Sequence, residues 1–126
     1  MRRTSPRGQR FDSAQQEAFL NLWRTYDRLK MLEDDLFGRY ELTAQQYNAL
    51  RLLRAAHPDR VPTLALAGRL VSRAPDITRL LDKLCDRGLI DRAHPEGDRR
   101  TVCIGITEAG LVLLTELAEE LRACHL

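Results

Sequence analysis

The stretch PDITRLLDKLCDRGLIDRAHPEGDRRTVCIGITEAG, residues 75–110, decides the fold. Its opening places Ile77, Leu80, Leu81 and Leu84 at three- and four-residue steps, the period of one helix face. Asp76, Thr78, Arg79, Asp82, Lys83 and Asp86 fall on or beside the opposite face. Pro75 suits a first helical turn, where its missing amide costs nothing, and Gly88 suits a C-terminal cap, so a helix is predicted over 75–87. Residues 89–94 then read as a strand, Pro95-Glu96-Gly97-Asp98 as a turn, and 101–106 as a returning strand with Val102, Ile104 and Ile106 alternating to one side. Thr107 is a good N-cap for a further helix.

Working backwards, residues 64–71 form a short helix with Leu66, Ala67 and Leu70 inward, after a turn that contains Asp59 and Pro62. Gly68 inside it costs up to about 1 kcal/mol of helix propensity, so packing must hold that helix in place. Thr43 stands three residues before Gln46, the spacing of a reciprocal capping box, and opens a helix stopped by His57-Pro58 with Tyr47, Leu50, Leu53 and Ala56 on its buried stripe. From Asp12 to about Gly38, Ala18, Phe19, Leu22, Trp23, Tyr26, Leu29, Leu32 and Leu36 trace one face of a long amphipathic helix. At the other end Leu111, Leu114, Leu117, Ala118 and Leu121 do the same for the last helix. Residues 1–10 lack periodicity and read as a mobile basic arm.

The fold class is therefore mainly α with a small β-hairpin wing, a winged helix-turn-helix, with a helical dimerisation region drawn from both chain ends. Residues 11–126 form a single domain in which 11–60 and 107–126 are the dimerisation helices and 61–106 the DNA-binding lobe. Helix, turn, helix and charged hairpin in that order are a device for reading duplex DNA.

A chain of 126 residues with 44% hydrophobic content is one domain with a real core. The formal net charge is only +2, so the case for a nucleic-acid partner rests on where charge sits. Residues 1–10 carry Arg2, Arg3, Arg7 and Arg10 and no acid, whereas residues 108–126 carry four glutamates against Arg122. Cys85, Cys103 and Cys124 are odd in number and form no CxxC pair, and no signal peptide or apolar run near ~18 residues is present. A reducing, cytoplasmic setting is expected, with no membrane partner. No Gly-rich phosphate loop, HExxH or GxSxG motif occurs, and His57, His94, His125 and Cys124 are too scattered for a metal site. A non-catalytic protein without cofactor or metal is expected.

The segment 62–110 resembles the MarR family of bacterial winged-helix regulators. The resemblance is carried by Leu66-Ala67-Gly68-Arg69-Leu70, by Ile77-Thr78-Arg79-Leu80-Leu81-Asp82-Lys83-Leu84 with Arg87-Gly88-Leu89-Ile90, and by Asp98-Arg99-Arg100 running through to Ile106-Thr107-Glu108-Ala109-Gly110. It implies a homodimeric transcriptional regulator, a repressor, acting on a pseudo-palindromic operator. The family's usual extra C-terminal helix is not among these residues, so either the first and last helices suffice for pairing or the sequence is a truncated one.

Pro75, Asp76, Thr78 and Arg79, early in the reading helix, are best placed to meet base edges. Thr78 offers a hydroxyl and a methyl, and an Arg79 pair with guanine is worth about 1–3 kcal/mol of discrimination. Arg73 and Lys83 suit phosphates. The resemblance puts Arg100 in the minor groove, with Asp98 holding its guanidinium and Arg99 on a neighbouring phosphate or in the same groove. It also implies a small phenolic or amphipathic effector, for which Trp23, Tyr26, Tyr40 and Tyr47 are candidate lining residues. Relatives that sense peroxides use a cysteine near the start of the first helix, where this chain has none. A competing reading remains, a winged-helix module that docks a partner protein instead of DNA.

Overall fold

The computed structural model describes residues 3–4, 10–11, 13–70 and 76–125, with backbone alone at 3–4, 10–11 and 124–125. In chain order these are β1 (Arg3–Thr4), β2 (Arg10–Phe11), α1 (Ala14–Arg39), α2 (Ala44–Ala56), β3 (Val61–Pro62), α3 (Thr63–Arg69), α4 (Ile77–Asp86), β4 (Ile90–Ala93), β5 (Cys103–Ile106) and α5 (Glu108–His125).

Local chemistry sets the helix ends. Ser13, in extended conformation, accepts from the Gln16 amide at 3.1 Å and starts α1, two residues later than the apolar period alone suggested. Thr43 and Gln46 form the reciprocal capping box of α2, at 3.1 and 2.9 Å. Asp76 accepts from the Arg79 amide at 3.0 Å, so α4 begins at Ile77 and not at Pro75, which lies outside the described residues. At its far end Gly88, with φ +72°, turns the chain while its own amide donates to Cys85 O at 2.9 Å and the Leu89 amide donates to Leu84 O at 3.1 Å. That pair of bonds satisfies carbonyls a helix end leaves free. The Thr107 hydroxyl accepts from the Gly110 amide at 3.2 Å and donates to Gly88 O at 2.6 Å, so one residue caps α5 and ties it to the end of α4.

The wing sheet has three strands, not two. Its order is β3-β5-β4, all antiparallel, with Val61 opposite Ile104 and Ile90 opposite Ile106. Two residues, one of them Pro62, carry no alternation, which is why 61–62 read as turn. The strand matters because the amide and hydroxyl of Thr63 both donate to Val102 O, at 3.0 and 3.1 Å, and so hold the start of α3 on the hairpin. That bond also begins α3 one residue earlier than expected, and Val71 lies outside the described residues. The basic arm is largely outside them too, although Arg3–Thr4 and Arg10–Phe11 pair as a short antiparallel ladder where no strand was expected.

One hydrophobic cluster runs through both predicted regions. Leu50 and Leu53 of α2, Leu66 of α3, Leu84 of α4, Ile104 of β5 and Leu117 of α5 are all fully buried in it. Each such side chain contributes roughly 1.5–3 kcal/mol relative to exposure. α2 is the hub, packed on α1 and α5 as well as on α3, α4 and β5, so it serves the winged segment as much as the outer helices.

α1 behaves differently along its length. Leu36 and Phe37 enter the core, but Phe19, Leu22, Trp23, Tyr26, Leu29 and Leu32 are exposed, Leu22 by 69%. The stripe read from the sequence is real, and the described residues do not cover it. Total accessible area is 9344 Å², against about 6,900 Å² for a compact monomer of this mass.

Candidate nucleic-acid interface

α4 turns by roughly 100° per residue, and its buried side, marked by Leu81 and Leu84, lies opposite Thr78, Arg79, Asp82, Lys83 and Asp86, all exposed. Acids and bases alternate on this face, but two of the acids in and beside the helix are already engaged. Asp76 caps it through the Arg79 amide. Asp82 holds the guanidinium of Arg92, on β4, in a hydrogen-bonded ion pair that joins the helix to the wing and raises the pKa of Arg92, chiefly through that bond. Among the described residues Arg79 and Lys83 form no ion pair, and their charge faces solvent.

The expected role of Asp98 needs correction. It does not hold the Arg100 guanidinium. Its Oδ1 accepts from the Arg100 amide at 2.9 Å and the Thr101 amide at 3.3 Å, and its Oδ2 accepts from the Thr101 hydroxyl at 2.7 Å. The Thr101 hydroxyl and the two amides hold this carboxyl below the usual carboxylate range. Asp98 therefore shapes the wing tip through its backbone, and the side chains of Arg99 and Arg100 remain exposed. Gly97, with φ +78°, supplies the left-handed position that the tip requires.

Because the folded-state pKa is lowered, the ordering is present above the usual carboxylate range and is lost as pH falls through the lowered value. Wing order is thus constant between about pH 5 and 8. Replacing Asp98 by Ala is expected to weaken duplex binding by about fivefold, the population cost of an unordered tip, while Asp98→Asn, which keeps an acceptor, loses less. A polarisation titration checks this. Equal affinity of Asp98→Ala and the wild type would detach tip geometry from binding.

Helix and wing meet in a cleft of roughly 490 Å³ lined by Pro62, Thr63, Leu64, Thr78, Leu81, Asp82, Arg92, Arg100, Thr101 and Val102. Thr78 and Arg100 thus share one opening on one side of the molecule. Arg79 and Lys83 line a second, shallower recess on the other flank of α4, beside Thr43 and Gln45 at the start of α2. Arg73, like Pro75, lies outside the described residues. Sequence reasoning did not single out Arg92 or Leu64, and no local signal marks a strand arginine as the partner of a helix carboxylate ten residues away.

The four aromatics do not gather in one place. Trp23 and Tyr26 are exposed on the free part of α1. Tyr40 follows that helix about 20 Å further along its axis. Its phenol is pushed up by partial burial and by Glu120 and Glu116 of α5. Tyr47 stacks on Phe37, ring centroids 4.9 Å apart, as part of the packing. The thiol of Cys85 is also pushed up, mainly by burial, which makes it a poor nucleophile. Among the described residues no helix is long and apolar enough to cross a membrane.

Comparison with known proteins agrees with this architecture. Residues 42–102 match the model of the MarR family. The chain is similar to the HTH-type transcriptional regulator PecS of Dickeya dadantii (strain 3937), 32% identical over 88 residues that cover 69% of this chain and 53% of PecS. It spans about half to three-fifths of the curated relatives it matches. Among solved structures, a MarR transcription factor from Planctomyces limnophilus is 55% identical, with a TM-score of 0.80 over 91% of this chain and 83% of that one. NadR, solved in complex with 4-hydroxyphenylacetate, is 27% identical, with a TM-score of 0.66 over 80% of this chain and 70% of that one. With a three-stranded wing hinged to a capped reading helix and a relative of this identity aligned along nearly its whole length, the chain belongs to the MarR family of transcriptional regulators.

Proposed function

We propose that the protein is a sequence-specific double-stranded DNA-binding regulator, a repressor, that acts as a homodimer on a pseudo-palindromic operator. α4 enters the major groove, which admits a helix and shows a distinct pattern for each base pair. Thr78 and Arg79 read bases, Lys83 and Arg73 neutralise phosphates, and Arg99 and Arg100 follow the adjacent minor groove. The observation that carries this reading is the cleft shared by Thr78 and Arg100, since a helix and a wing that open on one side can meet one duplex. Arg79 and Lys83, unpaired among the described residues, add to it, because Asp76 is occupied as a cap and Asp82 by Arg92.

The dimer is supported by the uncovered apolar stripe on α1, which a second copy would bury. A small phenolic or amphipathic effector that releases the operator is the second element of the proposal, and the structure of NadR with 4-hydroxyphenylacetate supports it. Trp23 and Tyr26 can join Tyr40 or Tyr47 around such a ligand only across a subunit boundary, given their separation along α1.

The test is a polarisation titration of the whole chain on a duplex selected from a randomised pool, at two salt concentrations. Selective binding with a steep salt slope is expected. Arg79→Ala should relax base preference more than it weakens binding to random duplex, and Arg100→Ala should lower affinity about tenfold without changing thermal stability. Indifference to duplex, together with a stable protein partner in pull-downs, would replace this reading by a protein-docking module.

A further inference from the structure

The far end of the reading helix holds the end of α1. Arg87, the C-cap of α4, donates from Nη1 to Glu41 O at 2.7 Å and from Nη2 to Tyr40 O at 3.0 Å. These carbonyls follow the last residue of α1, where helical bonding has ended. Glu41 has φ +57°, a left-handed conformation that a non-glycine residue rarely adopts, and the turn is closed by bonds from the Glu41 amide to Gly38 O and the Leu42 amide to Phe37 O. A planar guanidinium bridges the two carbonyls as a fork from two nitrogens in fixed geometry, whereas a lysine would have to meet both from one nitrogen. α1 packs mainly on α5 and α2, with β2 beside it, and α4 on β4 and α2, and the fork adds a polar joint between the ends of α1 and α4.

We infer that Arg87 is a positioning residue that fixes the angle between the reading helix and the dimer-forming helix, and so sets the half-site spacing that the protein accepts. The inference rests on the proposed function, in which α1 lies at the dimer axis and α4 in the groove. In a two-fold dimer the separation of the reading helices depends on the angle each lobe makes with its own α1. Thr78 and Arg79 lie eight or nine residues from the joint, about 13 Å along the helix. A tilt of about 7–8° in each protomer moves each reading end by roughly 1.7 Å, so the two together change their separation by about the rise of one base pair. A joint at this point therefore decides between adjacent spacings.

The experiment uses the full chain and a duplex that the wild type selects from a randomised pool, rebuilt with one base pair inserted or deleted at its centre. The wild type is expected to lose on the order of 20-fold in affinity on either altered duplex. Arg87→Ala is expected to bind the original spacing about tenfold more weakly, since a smaller fraction of molecules presents the right angle, and to show only about a threefold further loss on the altered duplexes. Arg87→Lys should fall between the two, and it carries the comparison if circular dichroism shows that Arg87→Ala does not fold. A spacing profile in the variant as steep as in the wild type overturns the inference. So does a uniform loss on all duplexes with a shallower salt slope, which would make Arg87 a phosphate ligand. A wild type that selects no duplex overturns the DNA reading itself, and that result is distinct from a wild type that discriminates spacing alongside a variant that matches it.

Discussion

Replacing Gly110 by Ala is expected to lower the melting temperature by about 5–10 °C, since among the described glycines it is the one where an added methyl meets the closest backbone contact. A Cβ at this position would stand 2.4 Å from the carbonyl oxygen of Leu89 and 2.6 Å from Cγ1 of Ile106. The first of these is backbone, fixed by the end of α4 and by the Thr107 amide that donates to it, so it cannot swing aside. Overpacking of this kind costs about 1–3 kcal/mol, and here the strain falls on the junction between reading helix, wing and α5. Gly105→Ala provides the contrast, because its Cβ would meet the flexible side chain of Arg60 at 3.0 Å, and Gly68→Ala should be neutral or stabilising, since nothing lies within 4 Å and helix propensity improves. Thermal denaturation of the three variants followed by circular dichroism gives the ranking. A Gly110→Ala protein as stable as the wild type would mean that the junction is looser than described.

Replacing Leu22 by Glu is expected to split the proposed dimer, with the mass in light scattering falling from twice 14.5 kDa to that of one chain. Leu22 is 69% exposed, so the substitution removes almost nothing from the subunit core and should leave monomer stability within about 0.5 kcal/mol. In a two-fold interface the same surface meets itself, and one change puts two buried carboxylates into an apolar seam. The dimer dissociation constant should rise by about 100-fold or more, since each uncompensated buried charge costs several kcal/mol. Affinity for a two-half-site duplex should fall with it. A Leu22→Glu chain that stays dimeric at micromolar concentration would move the interface away from α1.

Much of the lobe was legible because its signals are local. The Thr43–Gln46 box, the glycine after Arg87 and the threonine before α5 each mark a helix end through bonds made within a few residues. The leucine period reported which faces are buried, and on α1 it reported an apolar face that the described residues leave exposed. What escaped was long-range or carried by backbone. The strand Val61–Pro62 is too short to show a period, and it exists because β5 is there to pair with it. Asp98 and Arg100 were rightly placed on one turn, but the shortest path from carboxylate to arginine is to its amide, not to its guanidinium. Arg87 reaches carbonyls 46 and 47 residues away, and Glu41 is not a residue that announces a left-handed turn. The aromatic set was chosen by type, and helix length then separated its members.

The claim on which the rest depends is that α4 and the wing touch the same duplex at the same time, in different grooves. Footprinting of the selected duplex with a minor-groove probe, hydroxyl radical, and a major-groove probe, dimethyl sulfate at guanine N7, measures both contacts in one complex. Wild-type protein should protect guanines within each half-site and sugars just outside it, and Arg100→Ala should lose the outer protection while keeping the inner. Protection of the inner guanines alone by the wild type, or loss of both by Arg100→Ala at saturating protein, would contradict the account.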